Sequence, residues 1–399
     1  MKICVVGGAG KMAEAAIRDL VESDEVEHIV LCDLNEAGLA ERAAALASAK
    51  VSTVACDVSD TEALARVLEP IDVVVNCSMA YFNEAVMEAC LKAGCHYTDT
   101  GGLFHWAKKQ LAMSERFAAA GLTAILGSGS APGIVNVMAR YAEQRLDTVE
   151  WVRIYDGIVN WGAAAAPLVP PYSLDTILNE FLMSAWPFED GEWREYGPFQ
   201  GAEEVEFPDP IGTQTCYYTI HSEPATIPVA FADKGLRECF FKLALPKRFE
   251  EKLRFLCDLG AASTEAIPVK GQTEPVVPRA VVLELVERSL AEARAAAAGG
   301  AKPKLDDHKV LRVDVRGTAG GQTQDWRLET ILHWYPEWEM PCSTFTVGYP
   351  AALTGRLLGR GAIAKKGAFG GEAAIPPEVY FAELNRRGIH VEATQRVVY

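Results

Sequence analysis

No Cys-x-x-Cys pair occurs in this chain, and no two histidines stand at metal-ligand spacing. Zinc ribbons, thioredoxin-like redox motifs and a catalytic metal are therefore not expected from His28, His96, His105, His308, His333 or His390. The ten cysteines lack a framework as well. Cys4, Cys32, Cys56 and Cys77 lie in or beside hydrophobic runs, Cys90 and Cys95 are five apart, and the others are dispersed. They read as small buried hydrophobes in a reducing compartment. No apolar stretch approaches the ~18 residues needed to cross a bilayer. The start, Met1-Lys2-Ile3-Cys4-Val5-Val6, runs directly into a strand pattern with no signal-peptide layout, so a soluble cytoplasmic protein is expected. Positive charge is also scarce: 38 Lys and Arg stand against 54 Asp and Glu, a net charge of −16. Long-range repulsion then excludes nucleic acid and anionic membrane surfaces as partners.

What is present is a globular composition, 49% hydrophobic and 23% charged over 399 residues. At roughly 100 to 200 residues per domain this allows two or three domains. The first 145 residues alternate short β-branched runs with helical stretches, the pattern of a parallel sheet covered on both faces. Strands are predicted at 2–6, 28–33, 51–56, 71–76, 96–99 and 122–126. Asn35, Asp60 and Asn83 are candidate N-caps of the helices between them. Beyond Asp147 the pattern changes. Strands at 149–156, 214–221 and 239–245 follow without regular helical alternation, and 308–316 with 326–334 flank a turn-rich Gly317-to-Gln322 stretch as an antiparallel hairpin. A second domain of mixed type begins there. Trp151, Trp161, Pro167 to Tyr172 and Trp186 form an apolar region suited to a pocket, an interface or core, and Gly299-Gly300 marks a helix end.

Immediately after the first strand comes Gly7-Gly8-Ala9-Gly10-Lys11-Met12-Ala13, which read from Gly8 fits G-x-G-x-x-[G/A]. Gly8 allows the tight turn, Gly10 lets backbone approach a pyrophosphate, and Ala13 is small enough for helix–strand packing. The helix start at Lys11 and Met12 offers free N–H groups and partial positive charge to the phosphates. Asp33, 25 residues beyond Gly8 at the end of the second strand, is placed to accept from the adenosine ribose hydroxyls. Its carboxylate would repel a 2′-phosphate, so NAD is the expected cofactor. Asp57 after the third strand is a candidate for the adenine amino group. Asn76-Cys77-Ser78 closes the fourth strand along the same path.

A nicotinamide site passes a hydride beside a substrate group that changes protonation, so the informative polar residues follow strands four to six. These are Tyr81 to Asn83, Thr98 to Gly102 and Ser128 to Gly133, joined by Asp156 and His221-Ser222-Glu223 from the second domain. His221 is the expected proton-transfer group because its intrinsic pKa lies nearest the working pH. Asp99, Glu223 and Tyr81 complete the expected catalytic set. Asn83, Gly101 and Asp156 are expected to bind substrate.

The segments GGAGKMA, VVVNCSMAYFNEAVMEACLKAGCHYTDTGG, GSAPGIVNVMARY and GRGAIAKKGAFGGEAAIPPEVYFAELNRRGI together resemble the saccharopine dehydrogenase family, and within it the lysine 6-dehydrogenase branch. The resemblance implies a Rossmann doubly wound α/β domain over 1–145 and an inserted α+β substrate and dimerisation domain over 146–340. It also implies a 341–399 segment returning to the first domain, and a homo-oligomer, a dimer or higher. The implied reaction is NAD-dependent oxidative deamination of a primary amine, foremost the ε-amine of L-lysine to 2-aminoadipate semialdehyde with release of ammonia. Ala131-Pro132-Gly133 and Asp156-Gly157-Ile158 stand where saccharopine-forming members carry Asp-Pro-Gly and Cys-Gly-Gly. The apolar residue before Pro-Gly agrees with the lysine 6-dehydrogenase branch. Reductive condensation of an amine with a carbonyl compound, as in saccharopine or carboxynorspermidine formation, is the alternative chemistry. A non-catalytic NAD-binding sensor is the alternative of another class.

The chemistry constrains the site. A reacting amine must be neutral, and deprotonating a lysine-like ammonium of pKa ~10.4 at pH 7 costs ~4.6 kcal/mol. A neighbouring carboxylate raises that cost and an apolar wall lowers it. Asp99, Asp156 and Glu223 are therefore not all expected at the reacting nitrogen, and at least one is expected to hold a distant ammonium.

Overall fold

Short runs rich in Val, Ile and Cys, as at Lys2–Val6, His28–Asp33 and Val73–Asn76, suit strands covered on both sides, and with three further strands they form a parallel sheet. The six are β1 (Lys2–Val6), β2 (His28–Asp33), β3 (Val51–Ala55), β4 (Val73–Asn76), β5 (His96–Asp99) and β6 (Thr123–Leu126). The computed structural model describes residues 1–160, 166–297 and 307–398, so Trp161 and the Gly299-Gly300 turn lie outside the described residues. The second domain holds β7 (Thr148–Asn160), β8 (Phe188–Glu189), β9 (Glu192–Trp193), β10 (Glu203–Glu206), β11 (Thr213–Tyr218), β12 (Glu238–Ala244), β13 (Asp307–Ala319) and β14 (Gln322–His333). Two more strands follow, β15 (Gly367–Gly370) and β16 (Glu392–Val398).

The first sheet runs β15-β6-β5-β4-β1-β2-β3, all parallel. Strand order reverses between β1 and β4, which opens a crevice at the carboxyl ends where dinucleotides bind in doubly wound sheets. Its seventh strand, β15, arrives from the C-terminal segment. The helix Cys342–Gly359 packs along the helix Ala13–Glu22 so closely that a Cβ on Gly348 would stand 2.6 Å from the Met12 carbonyl oxygen. Arg356 and Arg387 both reach the buried Asp19, at 3.1 and 3.0 Å. The returning segment thus braces the helix that follows the glycine loop.

The second sheet runs β10-β11-β12-β7-β13-β14-β16, and β12 with β7 is its parallel pair. In the β13–β14 hairpin His308 faces His333 and Ala319 faces Gln322, which leaves a two-residue turn. Gly320 and Gly321 sit at φ 58° and 78°, as a type I′ turn requires. The longer turn expected from Gly317 onward is shortened because Thr318 and Thr323 stay in the ladder. One apolar cluster runs continuously from Ile3 and Val5 of the first sheet to Val313 and Leu328 of the second. All ten cysteines are free thiols, eight of them buried. Among the described residues no helix is long and apolar enough to cross a membrane.

Candidate active site

The glycine loop is fixed by crowding. A Cβ on Gly7, at φ 75°, would lie 2.9 Å from the Cys77 and Ser78 backbone, and one on Gly10 would lie 3.0 Å from the Gly7 carbonyl oxygen. Gly8 faces the Leu31 Cβ of β2 at the same 3.0 Å. The structure therefore brings Gly8, Gly10 and Asn76-Cys77-Ser78 to one place. The helix Ala13–Glu22 begins after Met12 with no side-chain cap, and Lys11 is exposed beside it. Asp33 accepts from the Ala9 amide at 3.1 Å and from the Asn35 amide at 3.0 Å. A cradle with no room for Cβ atoms, an uncapped helix start and an acid at the neighbouring strand end fit a dinucleotide.

Arg42 was not legible beside this loop. It lies nine residues beyond Asp33, yet the helix Glu36–Leu46 carries its guanidinium back to donate to the Gly10 carbonyl at 3.2 Å. Asp57 is exposed, and its carboxylate accepts from the Ser59 hydroxyl and amide, which hold it below its ordinary range.

A second group of expected residues closes on itself. Asp99 Oδ1 accepts from the Gly101 and Gly127 amides at 2.9 and 2.8 Å, and its Oδ2 accepts from Gln110 at 2.7 Å and Asn83 at 3.5 Å. Asn83 in turn accepts from Asn76, whose amide also donates to the Tyr97 hydroxyl. Burial pushes the Asp99 carboxyl above its ordinary range against these donors. Gly101, at φ 126°, lies under Pro132, where a Cβ would meet the ring at 2.9 Å. Asn83 does not cap its helix: Phe82 holds that position, because the Asn83 amide is engaged in the network. Tyr81 is 57% exposed and packs on Phe82. Among the described residues no hydrogen bond or ring contact joins Tyr81 or Asp99 to His221.

His221, Glu223 and Asp156 do meet, at the junction of the two sheets. His221 follows β11 and Glu223 opens the helix Glu223–Ala230, so its carboxylate reaches His221 Nδ1 at 2.6 Å. Phe241 of β12 stacks under the imidazole with ring centroids 3.7 Å apart. The free Nε2 then points toward Glu180 Oε1 at 3.8 Å. Glu180, on the helix Leu174–Leu182, receives the Tyr172 hydroxyl on its other oxygen. Asp156 pairs with Lys309 at 2.7 Å, and Lys309 donates to Ser130 of the loop after β6 at 3.1 Å. That last bond ties the second sheet to the first domain. Glu372 lies one layer deeper, accepting from Asn136 at 2.7 Å.

The electrostatics follow from burial. Burial alone would lower the His221 pKa, but Glu223, with Glu180 and Asp156, outweighs it and holds the imidazole above its ordinary value. Burial raises the Asp156 carboxyl, opposed by Lys309, and pushes Glu180 up to about 7, opposed by His221 and Tyr172. Glu223 is wholly buried, and its Oε1 and the Oδ1 of Asp156 have no hydrogen-bond partner among the described residues. Such orphaned acceptors in a native site call for a ligand or water.

Glu180, Lys309 and Glu372 were missed in the sequence, whereas Ser130 and Tyr172 fall within stretches singled out there, Ser128 to Gly133 and Pro167 to Tyr172. Two carried a signal. Glu180 falls three residues after Ile177 on an apolar helix stripe, and Lys309 interrupts a strand that continues Val310-Leu311. Lys309 and Asp156 are diagonal neighbours on β13 and β7, because Lys309 faces Ile158 and Asp156 faces Leu311. A hollow of about 600 Å³ at Lys2, Asp72 and His96 lies at the opposite, amino end of the strands, away from these residues.

Comparison with known proteins agrees with the architecture. The pattern described as the saccharopine dehydrogenase NADP binding domain matches residues 3–125, and that of the saccharopine dehydrogenase C-terminal domain matches 129–389. The chain belongs to the saccharopine dehydrogenase family. It is 24% identical to a carboxyaminopropylagmatine dehydrogenase of Synechocystis, over 97% of this chain and 96% of that protein. A carboxynorspermidine synthase of Vibrio alginolyticus is 27% identical over 54% of this chain and 53% of its own length. The saccharopine dehydrogenase (L-Glu forming) of Saccharomyces cerevisiae superposes over 100% of both chains with a TM-score of 0.70 at 16% identity, which shows a shared fold. This family member is an oxidoreductase acting on CH–NH groups with a nicotinamide cofactor.

Proposed function

We propose that this enzyme joins a cationic, polyamine-like amine to a carbonyl compound by reductive condensation, and cleaves the same secondary amine in reverse. The carrying observation is the surplus of carboxyl groups at the sheet junction: Asp156, Glu180 and Glu223 face Lys309 and His221, with Glu372 behind them. A buried uncompensated carboxylate costs several kcal/mol. A substrate carrying a second positive charge relieves that cost. The relative that aligns along its whole length is named for a carboxylated agmatine derivative, an amine of this kind. Lysine deamination, implied by the sequence resemblance, has no such support among these relatives.

The bound nicotinamide supplies or accepts the hydride. His221, oriented by Glu223, presents Nε2 to the substrate, and Asp156 with Lys309 holds its charged ends. Tyr81, exposed beyond the carboxyl end of β4, is assigned to meet substrate from the first domain. Asp99 and Asn83 act as supports that fix Gly101 and Gly127 beneath the Pro132 loop. NAD is the proposed cofactor, on the strength of the Asp33 carboxylate.

The test is a matrix of amines and carbonyl compounds with NADH or NADPH, following coenzyme absorbance and product mass. A secondary amine from a polyamine and a carboxylated aldehyde is the expected product. Ammonia release from lysine and NAD alone would move the assignment to oxidative deamination. NAD binding without turnover across the matrix would favour a sensor.

A further inference from the structure

The three front carboxyl groups at the junction differ in what compensates them. Glu223 contacts the His221 imidazole at 2.6 Å, and Asp156 contacts the Lys309 ammonium at 2.7 Å. Glu180 has a neutral phenol, Tyr172, on one oxygen and stands 3.8 Å from His221 Nε2 on the other, too far for a hydrogen bond. It is the carboxyl of the three that no cation hydrogen-bonds. His221, by contrast, is locked to Glu223 at 2.6 Å and stacked on Phe241, an arrangement that favours its charged form over a cycling one. We infer that Glu180, not His221, is the catalytic proton-transfer group, and that the His221–Glu223 pair is a fixed imidazolium beside it.

This assignment rests on the condensation reading above. In that direction the amine adds to the carbonyl carbon, and the C–O bond of the resulting carbinolamine must break. Glu180 in its acid form gives its proton to the departing hydroxyl, which leaves as water, and the nitrogen lone pair closes the C=N bond of an iminium. The iminium carbon then takes the hydride, and the Glu180 carboxylate regains a proton from solvent. In reverse, the carboxylate takes a proton from the water that attacks the iminium. The groups facing Glu180 are Tyr172 from the preceding loop, His221 from the β11 turn, Asp156 from β7 and Lys309 from β13. His221 and Lys309 favour the carboxylate, Asp156 opposes it, and burial places the balance at about 7, where an acid that must cycle near neutrality works best.

Two variants and two readouts test this. The Glu180→Gln enzyme should lose on the order of 100-fold in kcat. It should also lose the fall in kcat/KM expected of the wild type as pH rises through about 7 in the condensing direction. Tyr172→Phe removes a hydrogen bond that favours the carboxylate, so the same fall should move to higher pH. A merely structural Glu180 would leave the position of that fall untouched. The second readout needs no substrate. A carboxyl raised from 4.5 to about 7 on folding adds stability that is complete below 4.5 and lost as pH climbs through about 7. Melting temperature should therefore decline across that window in the wild type relative to Glu180→Gln. A parallel pair of pH–melting curves, or a kcat/KM profile unchanged in both variants, overturns the assignment. If the wild type turns over no amine and carbonyl pair while the melting curves still diverge, the condensation reading fails and the titration of Glu180 stands.

Discussion

Asp99 and Glu180 are both buried carboxyls at polar clusters, one inside the first domain and one where the two sheets meet. Asp99 is enclosed by neutral donors, two backbone amides and two side-chain amides, and its neighbours Asn76, Asn83 and Gln110 are engaged with one another. The junction cluster mixes charges and leaves acceptor atoms on Asp156 and Glu223 unmet. A saturated network rigidifies the loops it holds, whereas an unsaturated one stores electrostatic need that a ligand can meet. The difference separates support from chemistry without reference to which residue types are present.

The largest effect should come from unbalancing the junction. Lys309→Met leaves Asp156 buried without its cation, and loss of one partner of a buried pair costs about 3–5 kcal/mol. We expect a correspondingly lower denaturant midpoint, together with loss of turnover. Burial already raises the Asp156 carboxyl, so a variant as stable as the wild type would mean that Asp156 simply takes a proton. In that case the junction would need no cation, as the Asp99 network needs none, and the comparison would break.

Asp99→Ala strikes the saturated side. It strips the acceptor from the Gly101 and Gly127 amides and from Gln110, which at about 1–3 kcal/mol for an unmet buried donor should cost about 3 kcal/mol of stability. The kcat of the folded fraction should stay near that of the wild type, and thermal melting with active-site titration separates the two. A large drop in kcat at unchanged stability would return Asp99 to the catalytic set.

The two clusters also differ in how far they could be read beforehand. The glycine loop, Asp33 and the six strands of the first domain were legible because each rests on a short segment: a strand, a turn and a helix start in sequence. Asp156, His221 and Glu223 were legible as residue types beside strand ends. Two partners that define their chemistry were not, since Glu180 and Lys309 come from distant segments joined only by sheet register and helix packing. Side-chain saturation was equally hidden: nothing local to Asp99 told that Gln110 and Gly127 would close around it. Periodicity could have pointed to Glu180 and Lys309, as charged residues on otherwise apolar faces.

Asp33 stands between the two classes, and the smallest effect is expected there. Two backbone amides hold its carboxylate, as in the Asp99 network, but it is only half-buried and keeps acceptor capacity toward the glycine loop. Its hydrogen bond to the Ala9 amide shapes the loop, while its remaining acceptor capacity is assigned to the adenosine ribose of the proposed NAD. Asp33→Ala should weaken NAD binding by roughly tenfold, about the 1.4 kcal/mol of one charge-assisted hydrogen bond. It should relax discrimination against NADP by a similar factor, because Arg42 lies beside the same loop to receive a 2′-phosphate. Dissociation constants for both coenzymes measure this directly. A wild type that already prefers NADPH would show that Arg42 outweighs Asp33, and that an acid held by two amides belongs with Asp99 among the supports.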